Sequence, residues 1–137
     1  MTDYLVDNSV WARLSAADPH ITARLERIER APADLFVTCP PQVLELCHSA
    51  RTPQERAIYR ASISLGFPLA KAPGEELVLQ IQSALWGSGL VRAAGPTDIL
   101  IAGYAIANDA TMLAADHDFE HIAAVCDLKQ EYIAPAT

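Results

Sequence analysis

Asp7, Glu45, Asp98, Asp116 and Asp118 are the residues of this 137-residue chain whose types and settings point to chemistry. Each adjoins an apolar run. Asp7 follows Tyr4-Leu5-Val6, Glu45 lies between Leu44 and Leu46, and Asp98 precedes Ile99-Leu100-Ile101-Ala102. Asp116 and Asp118 come directly after Thr111-Met112-Leu113-Ala114-Ala115. Acids so placed are held by core structure. Carboxylates brought within a few Å raise one another's pKa, so that some take up protons at neutral pH. A divalent cation removes that conflict. An oxygen-only donor set, with no thiolate or imidazole cluster, selects Mg²⁺, with Mn²⁺ as a substitute, over Zn²⁺. Mg²⁺ uses one or two carboxylates and leaves the rest of its shell to water and substrate phosphate. That is equipment for hydrolysing a phosphodiester, since the ion acidifies a bound water and stabilises the leaving oxygen.

Positioning the acids requires a particular succession of elements. Tyr4–Asp7 reads as a short buried strand ending in an acid, and Asn8-Ser9 opens a helix through Val10, Trp11 and Leu14. Asp18-Pro19 is an N-cap followed by proline at the first helical position. Leu35–Thr38 reads as a second strand, and Pro40-Pro41 begin a helix on which Val43, Leu46, Cys47 and Ala50 form an apolar face. Glu45 lies within it, on a helix with two apolar-leaning faces. Thr52-Pro53-Gln54-Glu55 starts a further helix carrying Ile58, Ile63 and Leu65, closed by Gly66. Pro68–Ala70 is a short strand or a connector. Another helix follows from Pro73-Gly74-Glu75-Glu76 to Gly87. Gly95-Pro96 starts the helix bearing Asp98, Asn108-Asp109 is a turn, and Thr111–Ala115 is a strand. Phe119–Val125 is a short helix and Tyr132-Ile133 a last edge strand. Short strands separated by helices predict one α/β domain over residues 1–137 with a mostly parallel sheet. Sites in such sheets form outside the carboxyl ends of the strands, where four or five of these acids would meet.

Each acid also has a purely structural reading. Asp7 could cap a helix, Asp98 could be a favourable first-turn charge, and Asp116 and Asp118 could be turn residues. Other constellations fall short. His117 and His121 lack a third zinc ligand. Asp116-His117-Asp118 opens like a calcium loop, but His121 occupies the place of the required glycine. No GxSxG or GxGxxG motif stands in the right place, and an aspartate-nucleophile phosphatase would want an acid where Ser9 is.

Composition narrows the class. Apolar residues make up 51% and charged residues 20%, as in globular proteins. A net charge of −7 argues against charge-driven coating of nucleic acid and suits a metal-neutralised pocket or a basic partner segment. No apolar run approaches the ~20 residues of a membrane span, and Met1–Asp7 has no secretory pattern. Cys39, Cys47 and Cys126 show no CxxC spacing and read as buried free thiols, which predicts a cytoplasmic protein.

Asp7-Asn8-Ser9 after a hydrophobic strand, Glu45 in PQVLEL, Asp98 in GPTDILIAGYAI and the ending TMLAADHDFEHIA resemble the PIN-domain family, and more narrowly its VapC-type toxins. The resemblance runs from about Tyr4 to Ile133 and implies a three-layer α/β/α sandwich with a mostly parallel central sheet of four to five short strands. It implies a Mg²⁺-dependent endoribonuclease that cleaves structured RNA, leaving a 5′-phosphate and a 3′-hydroxyl. It implies catalytic roles for Asp7, Glu45, Asp98 and Asp116. Asp7 and Asp98 would bind metal directly, and Asp116 and Glu45 would complete the site through water or a second ion. Asp118, Ser9, Arg92 and Arg13 are additional candidates, the two arginines for the phosphate. It also implies a VapB-type antitoxin as partner, a homodimer within a larger toxin–antitoxin assembly, and operator DNA bound only through the antitoxin. Asn8 stands where the family often has Thr or Ser. Ala114 replaces a frequent hydroxyl residue, which leaves hydroxyl roles to Ser9 and Thr111. The alternative is a degenerate PIN domain that binds RNA or a protein partner without cleavage. Val43, Leu46 and Ile58 are candidate contact residues.

Overall fold

The computed structural model describes residues 1–136. Five strands form one parallel sheet: β1 (Asp3–Val6), β2 (Leu35–Thr38), β3 (Phe67–Pro68), β4 (Thr111–Ala114) and β5 (Lys129–Tyr132), in the order β3-β2-β1-β4-β5. Tyr4 aligns with Phe36 on one side and Thr111 on the other, and Ala114 aligns with Tyr132. Among the described residues seven helices fill the connections: α1 (Asn8–Ser15), α2 (Pro19–Arg30), α3 (Pro40–His48), α4 (Pro53–Ile63), α5 (Glu75–Gly87), α6 (Pro96–Ala107) and α7 (Asp118–Ala123).

Alternation along the strands divides the core in two, because successive side chains point to opposite faces. Leu5, Val37, Met112 and Ala114 pack with Ile81 and Leu85 of α5, Ile99 and Ile101 of α6, and Phe119 and Ile122 of α7. Tyr4, Val6, Leu113 and Ala115 pack with Val10 of α1 and Ile21 and Ile28 of α2. The result is the three-layer sandwich expected from the sequence, with every strand pair parallel. Gly103 lets α6 approach α5 and the segment before it: a Cβ there would meet Pro73 Cβ and Val78 Cγ1 at 3.0 Å.

Local chemistry fixes the helix starts. Asp18 accepts from His20 N and Ile21 N, and Thr52 accepts from Glu55 N. Pro19, Pro40, Pro53 and Pro96 occupy first-turn positions where a missing N–H costs nothing. Several boundaries differ from the sequence reading. The fifth strand is Lys129–Tyr132, because the ladder with β4 begins at Thr111, opposite Lys129. The third is Phe67–Pro68, with Leu69 N donating to Thr38 O beyond it. Leu44 is 68% exposed, so α3 has one buried face, carrying Leu46 and Cys47. Ile58 is exposed, Val43 half-buried and Leu46 buried. Cys39 and Cys47 are buried and free, and free Cys126 is half-buried. Among the described residues no helix is long and apolar enough to cross a membrane.

Candidate active site

The sheet order reverses direction between β1 and β4, since the chain moves outward from β1 to β3 and then returns to the other side. Crevices at such switch points, beyond the carboxyl ends of the strands, are the binding sites of open α/β sheets. Asp7 follows β1 and Asp116 follows β4, so both stand at this crevice. Asp7 N donates to Leu113 O, which continues the ladder to the last residue before the site. Asp7 is only 5% exposed and also caps α1, its Oδ2 accepting from Ser9 N at 3.1 Å. The capping reading of this residue is therefore correct and coexists with its place in the cluster.

The remaining acids arrive on helices. Asp98 lies in the first turn of α6 and is half-buried, beside buried Ile99 and Ile101. Glu45 projects from the middle of α3, which packs against both α1 and α6. Asp116 Oδ1 accepts from Asp118 N at 3.1 Å, and Asp118 is exposed at the start of α7.

Electrostatics show that the five acids share one field. The Asp98 pKa is raised to about 7, by burial first and then by Asp7, Glu45, Asp118 and Asp116. Glu45 is raised by burial and then by Asp7, Asp116 and Asp118. Asp7 is raised by burial and by Asp116, against the stabilising hydrogen bonds from Ser9. Asp118 is raised by burial and Asp116, with His121 and His117 opposing.

Two polar side chains hold the frame. Ser9 Oγ accepts from Ala115 N at 2.9 Å, tying α1 to the end of β4. Gln42, 3% exposed, donates from Nε2 to Val6 O and accepts from Cys39 N at its Oε1. It fastens α3, and with it Glu45, to the end of β1. The sequence reading missed Gln42; its signal is an amide three residues after the Cys39 cap, the capping-box position. Thr111, given a hydroxyl role from sequence, stands at the amino end of β4, a strand's length from Asp116, and lies outside the site. Arg13 is in the last turn of α1. Arg92 lies before α6 and lines a shallow groove with Gln82, Trp86 and Pro96.

These residues fit a hard divalent cation. The donors are all carboxylate oxygens, and the raised pKa values of Asp7, Glu45, Asp98 and Asp118 mark a surplus of negative charge that a cation would relieve. Among the described residues, no three Asp, Glu, His or Cys side chains form a ready-made cage. A hydrated Mg²⁺, bound through one or two carboxylates, requires none.

A family model for the PIN domain matches residues 4–125. Comparison with curated proteins by sequence gives no match. Among solved structures, a chain of the Rickettsia felis VapBC2 complex, determined bound to a promoter DNA fragment, has a TM-score of 0.72 at 15% identity, covering 97% of this chain and 100% of that one. VapBC-5 from Mycobacterium tuberculosis, a member of the VapBC family of toxin–antitoxin systems, gives 0.69 at 18%, covering 97% and 100%. Mycobacterium tuberculosis VapC20, a sarcin–ricin loop cleaving toxin, gives 0.55 at 21%, covering 92% and 98%. At these identities the likeness is one of fold. The sheet order, the acids gathered at its switch point and a family match spanning most of the sequence agree: this chain belongs to the PIN-domain family.

Proposed function

We propose that the protein is a Mg²⁺-dependent endoribonuclease of the VapC type, the toxin of a toxin–antitoxin pair. The observation that carries this reading is the convergence of Asp7, Glu45, Asp98, Asp116 and Asp118, from separate segments, on one crevice where each raised pKa is traced in part to the other acids. Asp7, Asp98 and Asp116 are the residues assigned to hold the ion. Glu45 completes the set through water or a second ion, and Asp118 lies at its rim. When bound, the ion supplies an acidified water and charge neutralisation for the leaving oxygen. The protein's part is to hold the carboxylates rigidly. Ser9 and Gln42 do so by fixing Asp116 and Glu45 relative to Asp7. Arg92 and Arg13 are the cations assigned to flanking phosphates.

The partners follow from the same reading. The structural neighbours include VapBC complexes, one bound to promoter DNA. A small antitoxin would pack on this chain, the toxin would form a homodimer, and operator DNA would be reached through the antitoxin. An apolar cavity of about 320 Å³, lined by residues including Trp11, Leu14, Leu25, Phe36, Ile63 and Leu65, offers such a partner a seat.

The test is RNA cleavage by purified protein with Mg²⁺ and with chelator. Cleavage that needs Mg²⁺, and is lost in Asp7→Asn and Asp98→Asn with the fold retained, supports the assignment. Identical lanes with and without the ion would leave a binding module in place of a nuclease.

A further inference from the structure

We propose that the facing rings of His117 and Tyr132 form a platform on which a nucleobase beside the scissile phosphate stacks. The inference rests on the ribonuclease reading and deepens it by assigning a positioning element for single-stranded substrate. The ring centroids are 4.2 Å apart at an interplanar angle of 37°. His117 lies between Asp116 and Asp118, two acids of the candidate site. Tyr132 ends β5 directly opposite Ala114, so its ring stands at the carboxyl edge where the acids gather.

His117 is held on two sides. Tyr132 packs against its ring, and Nδ1 donates to Glu120 Oε2 at 2.9 Å, since a carboxylate can only accept. Its side chain nevertheless keeps 62% of its surface in solvent. An exposed aromatic already fixed in orientation loses little freedom when a flat ligand lands on it. Single-stranded RNA presents such ligands, and base stacking on His or Tyr is tolerant of sequence.

The experiment compares His117→Ala, Tyr132→Ala, His117→Phe and Tyr132→Phe with wild type. It measures KM and kcat on single-stranded RNA, cleavage of an RNA abasic on both sides of the scissile phosphate, and fluorescence of a 2-aminopurine RNA titrated with protein in the cleavage-deficient Asp98→Asn background. The alanine variants should raise KM for RNA roughly tenfold with little change in kcat, leave the baseless substrate unaffected, and weaken 2-aminopurine quenching. The phenylalanine variants should restore binding. Thermal melting identifies any variant that fails to fold, and His117→Ala, at an exposed position, keeps the test decisive if Tyr132→Ala unfolds. Alanine variants that bind and cut RNA like wild type would overturn the platform while leaving the nuclease intact. A wild-type protein that neither binds nor cuts RNA would overturn both.

Discussion

Ser9 Oγ accepts a hydrogen bond from Ala115 N at 2.9 Å, joining residues 106 apart in sequence and placing the start of α1 against the end of β4. Ala115 is buried, so Ser9→Ala should leave its N–H without a partner, at a cost of about 1–2 kcal/mol in urea unfolding. RNA cleavage should fall further than stability does, because Asp116 follows directly on the freed backbone. Ser9→Ala with unchanged cleavage would separate this bond from the site.

Gln42 offers a second positioning test. Gln42→Ala removes the partner of Val6 O and of Cys39 N together, and should cost about 2–3 kcal/mol. Gln42→Glu keeps the acceptor for Cys39 N, loses the donor to Val6 O and adds a charge near the acids. It should reduce cleavage as much as alanine does. Urea midpoints and RNA cleavage assays check both variants.

The Asp98 pKa gives a pH signature with a definite sign. Its folded value, pushed up to about 7, lies well above that of a free aspartate, 3.8. The native state therefore binds more protons than the unfolded chain between those values, and stability falls as pH rises through that window. Without metal, Asp98→Asn should melt higher than wild type at pH 8 and no higher at pH 4. After allowance for solvent screening at a half-exposed group, the gain is on the order of 1 kcal/mol, roughly 3 °C in Tm. Equal melting of the two proteins at pH 8 in chelator would contradict the crowding of charge.

Added Mg²⁺ should act in the same window. An ion that binds only the folded protein stabilises it by about 2.7 kcal/mol at a hundred times its Kd. The rise in Tm should be larger at pH 8 than at pH 5, where protons already occupy part of the site. Scanning calorimetry with Mg²⁺ and with chelator at the two pH values measures it.

Asp18 behaves in the opposite sense. Burial pushes its pKa up, but N–H donors from Ala136, Ile21 and His20 outweigh it and hold the carboxyl below the usual range. Its contribution to stability is present above the unfolded pKa and is lost as pH falls through the folded one. Asp18→Ala should therefore destabilise the protein at neutral pH and flatten its acid denaturation below about pH 4.

Much of this architecture is legible in the sequence for identifiable reasons. Apolar strands flanked by Asp7 and Asp116, and helices opened by Asp18-Pro19, Pro40-Pro41 and Gly95-Pro96, are local signals that tertiary packing did not override. The acids stood out because each interrupts or borders an apolar run. What sequence could not supply was long-range. Gln42 looks like any polar residue until Val6 O is found beside it. Thr111 looks like a neighbour of the site until strand direction places it at the far end. Leu44 looks buried by composition, but its position on α3 turns it to solvent. Tyr132 and His117 show no periodicity linking them, and only the β4–β5 register brings them together.

The sheet order has a consequence for synthesis. β1 is made first, yet one of its two neighbours, β4, emerges only after β2, β3 and six helices. Asp7 therefore waits for Asp116 through most of translation, and no fragment that ends before β4 carries both acids. For a protein read as an RNA cutter, the ribosome that makes it handles a harmless polypeptide until the final strands leave the exit tunnel.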